Sequence, residues 1–74
     1  MIKFTVDYYR KNAGMTQAEL AEKMFMQRPA LNLKLHGKST FNTSEILRCG
    51  EIFKLSDQEI VQMIKAEISQ YKGR

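Results

Sequence analysis

Apolar residues recur along the chain at intervals of three and four, and each run is bounded by a capping side chain or a glycine. Val6, Tyr9 and Ala13 stand at i, i+3 and i+7 ahead of Gly14. That spacing predicts a first helix over about Phe4–Ala13, closed by a left-handed glycine. Tyr8, Arg10 and Lys11 then fall on or near its outer faces, and Met15 plugs its end. Leu20, Ala21 and Met24 mark the inner face of a second helix, from Gln17 to about Met24. Thr16 and Glu19 open it as a capping box, hydroxyl to backbone N–H and carboxylate back to the cap. Leu31 and Leu35 define the buried side of a third helix that begins at Gln27 or Arg28, carries Pro29 in its first turn and stops at Gly37. Lys34, beside them, snorkels to the edge. Asn42 and Glu45 open a fourth helix, Thr43 to about Lys54, whose inner side is Ile46, Leu47, Cys49, Gly50 and Phe53. Ser56 and Glu59 open the last one. There Ile60, Val61, Ile64, Ile68 and Tyr71 repeat at helical spacing, and the end, AEISQYKGR, projects beyond the domain body. The chain has 1 proline and 4 glycines, and its apolar spacing is helical almost everywhere. The fold class is all-α, a compact bundle of about five helices in a single domain over residues 1–74.

Length and composition narrow the rest. A chain of 74 residues buries only about 60% of its unfolded surface, so its stability margin is modest. The single cysteine makes no internal disulfide, and with no Cys/His cluster no metal site is expected. Both features fit a reducing cytoplasmic compartment. Cys49 reads as a small core residue. The start, MIKFTVDYYRKN, offers no apolar run for a signal peptide, and nothing approaches the ~20 apolar residues of a membrane span. An enzyme is not expected. His36 has no acid or thiol at motif distance, and there is no glycine-rich phosphate loop and no carboxylate pair around an apolar pocket. No cofactor and no small-molecule substrate are implied.

Charge changes the picture. No acidic residue occurs between Glu22 and Glu45, while Lys23, Arg28, Lys34 and Lys38 all fall in that gap. The net charge is +4, 12 basic residues against 8 acidic ones, so these four account for the whole excess. A basic excess confined to one segment is the electrostatic footprint of a nucleic-acid binder. The segment Thr16–Lys38 also has the helix-turn-helix plan, in which the second helix lies in the DNA major groove. At about 100° per residue, Pro29, Asn32, Leu33 and His36 face outward, with Arg28 at the margin. Gln17, beside the positive end of its helix, is placed for a phosphate. Lys38, Thr40 and Asn42 are placed for the backbone as it passes the third helix.

Arg10 and Gly14, T16-Q-A-E-L-A-E-K, L31-N-L-K-L-H-G-K and I52-F-K-L-S-D-Q-E-I together resemble the phage repressor and Cro-like helix-turn-helix regulators. The likeness runs from about residue 4 to 64, and NLKLHGKSTFNTSEI looks especially like small phage-encoded members. It implies a five-helix, lambda-repressor-like domain acting on operator DNA in a lysis–lysogeny switch. Carried over, Gln17, Lys38, Thr40, Asn42 and Thr43 become phosphate contacts. Gln27, Arg28, Asn32 and His36 reach base edges, with Leu33 and Pro29 between them.

The chain departs from that pattern at three places. Phe25 stands where the family carries a turn glycine, so either the backbone is strained there or the turn is built differently. Gln27 replaces the Ser or Thr cap of the reading helix. Pro29 and Leu33 put apolar groups where a base reader carries polar ones; Leu33 can touch a thymine methyl but supplies no hydrogen-bond code. Two functions follow. One is a repressor that reads operator DNA and, since one reading helix covers a half-site, pairs as a homodimer, with the C-terminal helix as the contact. The other is an antirepressor that uses Phe25, Met26, Arg28, Pro29, Asn32 and Leu33 to grip a lysogeny repressor and mask its DNA-binding surface.

Overall fold

Short helices need their ends satisfied, and this chain supplies a cap at nearly every one. In a computed structural model, which describes residues 2–72, five helices follow one another: α1 (Val6–Asn12), α2 (Gln17–Lys23), α3 (Arg28–Leu35), α4 (Thr43–Ile52) and α5 (Asp57–Lys72). No strand occurs among the described residues. Full capping boxes open α2 at Thr16/Glu19, α4 at Asn42/Glu45 and α5 at Ser56/Glu59. At the first, the Thr16 backbone and hydroxyl hydrogen bonds hold the Glu19 carboxyl below its ordinary range. Helix α1 starts later than Phe4, because the Thr5 hydroxyl takes the Tyr8 N–H and the chain before it turns through Phe4 at φ 72°.

The first four helices all stop in the same way. The N–H groups of the two residues after the cap turn back to carbonyls of the last turn, as in Gly14 to Lys11 and Met15 to Arg10. The first of those residues takes a positive φ each time: Gly14 at 67°, Phe25 at 56°, Gly37 at 74° and Lys54 at 56°. Helix α4 therefore ends at Ile52, short of the expected Lys54. Arg10 is not an outer residue. Its guanidinium is half-buried, 2.8 Å from Asp7 and 2.8 Å from the Met15 carbonyl, which it holds just ahead of the α2 cap. Tyr8 is also half-buried, edge-on to both Phe4 and Tyr9.

Val6, Leu20, Ala21, Met24, Leu31, Leu35, Ile46, Cys49 and Met63 make the core, with Met15, Met26, Ile60 and others packed on its rim. Helix α2 packs on α3, and α4 on α5. Gly50 sits inside α4 where a Cβ would lie 2.7 Å from the Ile60 side chain, so its absence lets α5 approach. Ala13, the last of the periodic series of α1, is exposed at its C-cap. Leu47, expected inside, is 53% exposed. Cys49 is fully buried, and burial pushes its thiol up to about 12, as an inert core residue requires.

The end of α5, expected to project beyond the domain body, packs on α1 and α3 through Glu67 and Gln70, and its last two residues, 73–74, lie outside the described residues. The buried side of α5 is Met63 with the half-buried Ile60, Glu67 and Gln70, while Val61, Ile64, Ile68 and Tyr71 stay 39–50% exposed. Glu67 sets that rotation. Its carboxylate accepts the Val6 N–H at 2.7 Å, satisfying an orphan donor in the first turn of α1 from the far end of the chain. Gln70 donates to the Leu35 carbonyl at 3.2 Å and so fastens the same side of α5 to the end of α3.

Burial raises the Glu67 carboxyl to about 7; the Val6 hydrogen bond opposes that rise and Asp7 adds to it. The unfolded chain loses this proton near 4.5, so the group's stabilising contribution is full below that pH and is lost as pH rises through about 7. Urea midpoints should therefore fall between about pH 5 and 8 more steeply for the wild type than for Glu67→Gln, which keeps an acceptor for Val6 and has no proton to lose. Parallel slopes for the two proteins would contradict this role of Glu67.

Candidate nucleic-acid interface

The outer side of α3 is held in place by the elements packed around that helix. Leu31 and Leu35, 0% and 3% exposed, anchor α3 in the core. That anchoring fixes its rotation and leaves Arg28, Pro29, Ala30, Asn32, Leu33 and His36 exposed. Gln27 caps α3 through backbone geometry alone, with no side-chain hydrogen bond, and its side chain is exposed. The missing cap costs about 1 kcal/mol, which Pro29 at the second helical position partly offsets by fixing φ.

One contact joins the expected phosphate and base residues. The Asn32 Nδ2 donates to Gln17 Oε1 at 3.1 Å, tying the middle of α3 to the first residue of α2. A single hydrogen bond thus keeps two side-chain amides on a common surface. One turn on, His36 Nδ1 lies 2.8 Å from the Asn32 carbonyl, a distance that favours the tautomer with its proton on Nδ1. Lys38 follows Gly37 and is exposed. Gln17, Arg28, Asn32, His36 and Lys38 therefore surround the outer side of α3, with Pro29 and Leu33 (48% exposed) among them.

Other expected residues have different surroundings. Lys34 does not add to the basic surface. Its ammonium is held by both Glu45 oxygens, at 2.7 and 2.8 Å, and lies over the Phe41 ring. Glu45 Oε1 also takes the Asn42 N–H, so this carboxylate closes α4 and braces α3 together. Of the four cations in the acid-free segment, Lys23, Arg28 and Lys38 are the exposed ones. Asn42 Oδ1 is committed to the α4 cap, accepting from the Glu45 N–H at 2.8 Å and the Ser44 hydroxyl at 3.1 Å. Thr40 and Thr43 are exposed and line a cavity of about 200 Å³ with Phe41, Ile46, Ile64 and Glu67. Met26 is half-buried against the core, so it adds little to an outward apolar patch.

Phe25 is 80% exposed and takes φ 56°, so of the two expectations for this turn the strained one holds. The Arg48 guanidinium lies 4.7 Å from its ring centre. Pairing with α4 turns this aromatic toward Lys23, Glu51 and Ile52, the residues beside it and Arg48 in a shallow surface depression. Nothing in the spacing of residues announced the Arg48 stack, the Glu45–Lys34 pair or the Gln17–Asn32 bond. Each joins side chains from different elements, two helices or a turn and a helix, and only the packing brings them within reach.

No protein family, curated protein or solved structure matches this chain. No helix among the described residues is long and apolar enough to cross a membrane, and no cluster of metal-ligating side chains occurs there.

The strain at Phe25 yields a stability test. A non-glycine residue in the left-handed region costs about 1–2 kcal/mol, against about 0.5–1 kcal/mol for an exposed cation–π pair. Phe25→Gly should therefore raise the unfolding free energy by roughly 0.5–1 kcal/mol, read from denaturant midpoints. A loss of stability would mean that the Arg48 stack outweighs the strain.

Proposed function

We propose that this protein is a helix-turn-helix regulator of the phage Cro-like kind, which reads operator DNA by laying α3 in the major groove. The observation that carries the reading is the Gln17–Asn32 bond among exposed Arg28, His36 and Lys38. It puts groups that suit bases and groups that suit phosphates on one surface. Asn32 is the adenine reader: its carbonyl oxygen takes the N6 amino group and its second N–H meets N7. Gln17 holds the amide in the orientation this needs. Arg28, at the first position of α3, pairs with guanine O6 and N7, and Leu33 packs on a thymine methyl. Lys38 and the Gln17 amide meet phosphates on either side of the groove. Gln27 and His36 reach the edges of the same site, and Thr40 and Thr43 the backbone beyond Lys38. The work is binding, with no chemical step, in a cytoplasmic transcription switch.

A second reading rests on Pro29 and Leu33. These apolar side chains lie exposed among the polar ones, where they supply no hydrogen-bond code. In that reading the same face docks on a lysogeny repressor and keeps it from DNA, and Leu33 is the central contact. Leu33→Asp then abolishes capture of a lysogeny repressor, while a complex that survived the change would place the interface elsewhere.

Equilibrium binding to the phage's own operator, followed against salt, tests the first reading. The logarithm of the affinity should fall linearly with the logarithm of salt, and Lys38→Ala should reduce that slope by about 1. Asn32→Ala should cost about 1–3 kcal/mol on the preferred operator and less on a site altered at its adenine. Absence of operator binding by the wild type at low salt would sink the DNA reading.

A further inference from the structure

The cavity of about 200 Å³ beside α5 has one charged group on its wall. Ile46, 5% exposed, lies at its floor, and Phe41, Ile64 and Ile68 form apolar sides. Thr40 and Thr43, both exposed, stand at its rim. Glu67 interrupts the apolar lining. Its Oε2 takes the Val6 N–H, while Oε1 accepts no hydrogen bond among the described residues. No buried side-chain oxygen there lacks a partner, so Oε1 is reached from outside. No cation among the described residues pairs with Glu67; Lys34, beside Phe41, is held by Glu45. Burial raises the carboxyl to about 7 and Asp7 adds to the rise, so the charged form lacks solvation that a cation at Oε1 would restore.

We infer that this cavity binds a small primary amine with a hydrocarbon tail, its ammonium on Glu67 and its tail against Phe41, Ile46, Ile64 and Ile68. Each part of the lining selects a part of that ligand. An apolar cavity of about 150 Å³ already accepts a benzene ring, so this one holds a tail of about six carbons. A primary ammonium has several N–H donors and no acceptor. One donor meets Glu67 Oε1, and the others suit the Thr40 and Thr43 hydroxyls, which make no hydrogen bond among the described residues. An anion would meet the Glu67 charge with Asp7 behind it, and is excluded. A neutral alcohol fills the same space but leaves the carboxylate without a counter-charge, so it binds more weakly. For a ligand of this size the dissociation constant is on the order of 0.1–1 mM.

The site adjoins residues already assigned to the DNA backbone. Thr40 and Thr43 lie between the end of α3 and the first residue of α4. A hydroxyl that accepts from an ammonium keeps its own proton for a phosphate oxygen. The ammonium also cancels the Glu67 charge, which repels phosphate. The bound amine therefore strengthens operator binding, by about fivefold, and the operator strengthens amine binding by the same factor. That coupling rests on the DNA-reading proposal, while the amine site itself does not.

Titration of the full chain with hexylammonium, hexan-1-ol and hexanoate at about pH 8, where Glu67 is ionised, tests the site through methyl chemical shifts. Hexylammonium should saturate and move the Ile46, Ile64 and Ile68 methyls, while Val61, on the same helix but outside the cavity, stays still. Hexan-1-ol should bind at least about tenfold more weakly, and hexanoate should not saturate. Glu67→Gln, which keeps an acceptor for Val6, should weaken the amine about tenfold and leave the alcohol unchanged. The ligand series on the wild type decides the matter even if that variant does not fold. Failure of the amine to saturate below about 10 mM would overturn the proposal. So would equal affinity for amine and alcohol, tighter binding of hexanoate, an unchanged amine affinity in folded Glu67→Gln, or shifts scattered beyond the cavity. Amine binding that left operator affinity unchanged would refute the coupling alone. Amine binding by a protein that ignored operator DNA would refute the DNA reading alone.

Discussion

Helices of seven to ten residues do not hold in water by themselves, and four of the five here are that short. The whole structure depends on closing their ends. Glu19, Glu45 and Glu59 each turn back to their own cap, and four successive helices finish in the same left-handed turn. Closed ends stop each helix at a defined residue, which fixes the direction of the next. The turn at Phe25 matters most in this respect. It sets α3 across α2, and the chain tolerates strain there to hold that crossing. Packing of Leu20 and Leu31 then locks the pair, and the outer side of α3 is whatever those two leucines do not bury.

Much of this architecture was legible in the residues, because caps and terminal glycines are local chemistry. Thr16 with Glu19, Asn42 with Glu45, Ser56 with Glu59, and Gly14 and Gly37 each declare an end without help from the rest of the chain. Leu31 and Leu35 likewise fixed the rotation of α3, as an i, i+4 leucine pair on one side of it. Helix α5 was harder to read. Ile60, Val61, Met63, Ile64, Ile68 and Tyr71 spread around more of the helix than one neighbour can cover. Periodicity therefore could not say which part faces inward. A carboxylate decided it: Glu67 satisfies the start of α1 and draws its own side of α5 under.

At the candidate interface the sequence located the outer residues and missed how they are held. Charge counting treated Lys34 as one of four free cations, but the side chain reaches Glu45 across the α3–α4 boundary and is neutralised there. Asn32 was placed facing outward, yet nothing in its neighbours foretold the Gln17 amide at 3.1 Å. Contacts between helices carry no periodic signature. The surface that results is less basic and better ordered than composition implies, and Asn32 owes its fixed orientation to α2.

The claim at the centre of this account is that α3, braced by Gln17, reads bases. Selection of binding sites from a pool of random DNA duplexes tests it most directly. Inverted repeats should be enriched whose half-sites contain guanine and adenine and whose centres lie about one helical turn, ~10 base pairs, apart. A Gln17→Ala protein should lose the adenine preference ahead of the guanine preference. Recovery of sequences no different from the starting pool, by a folded protein at low salt, would contradict it.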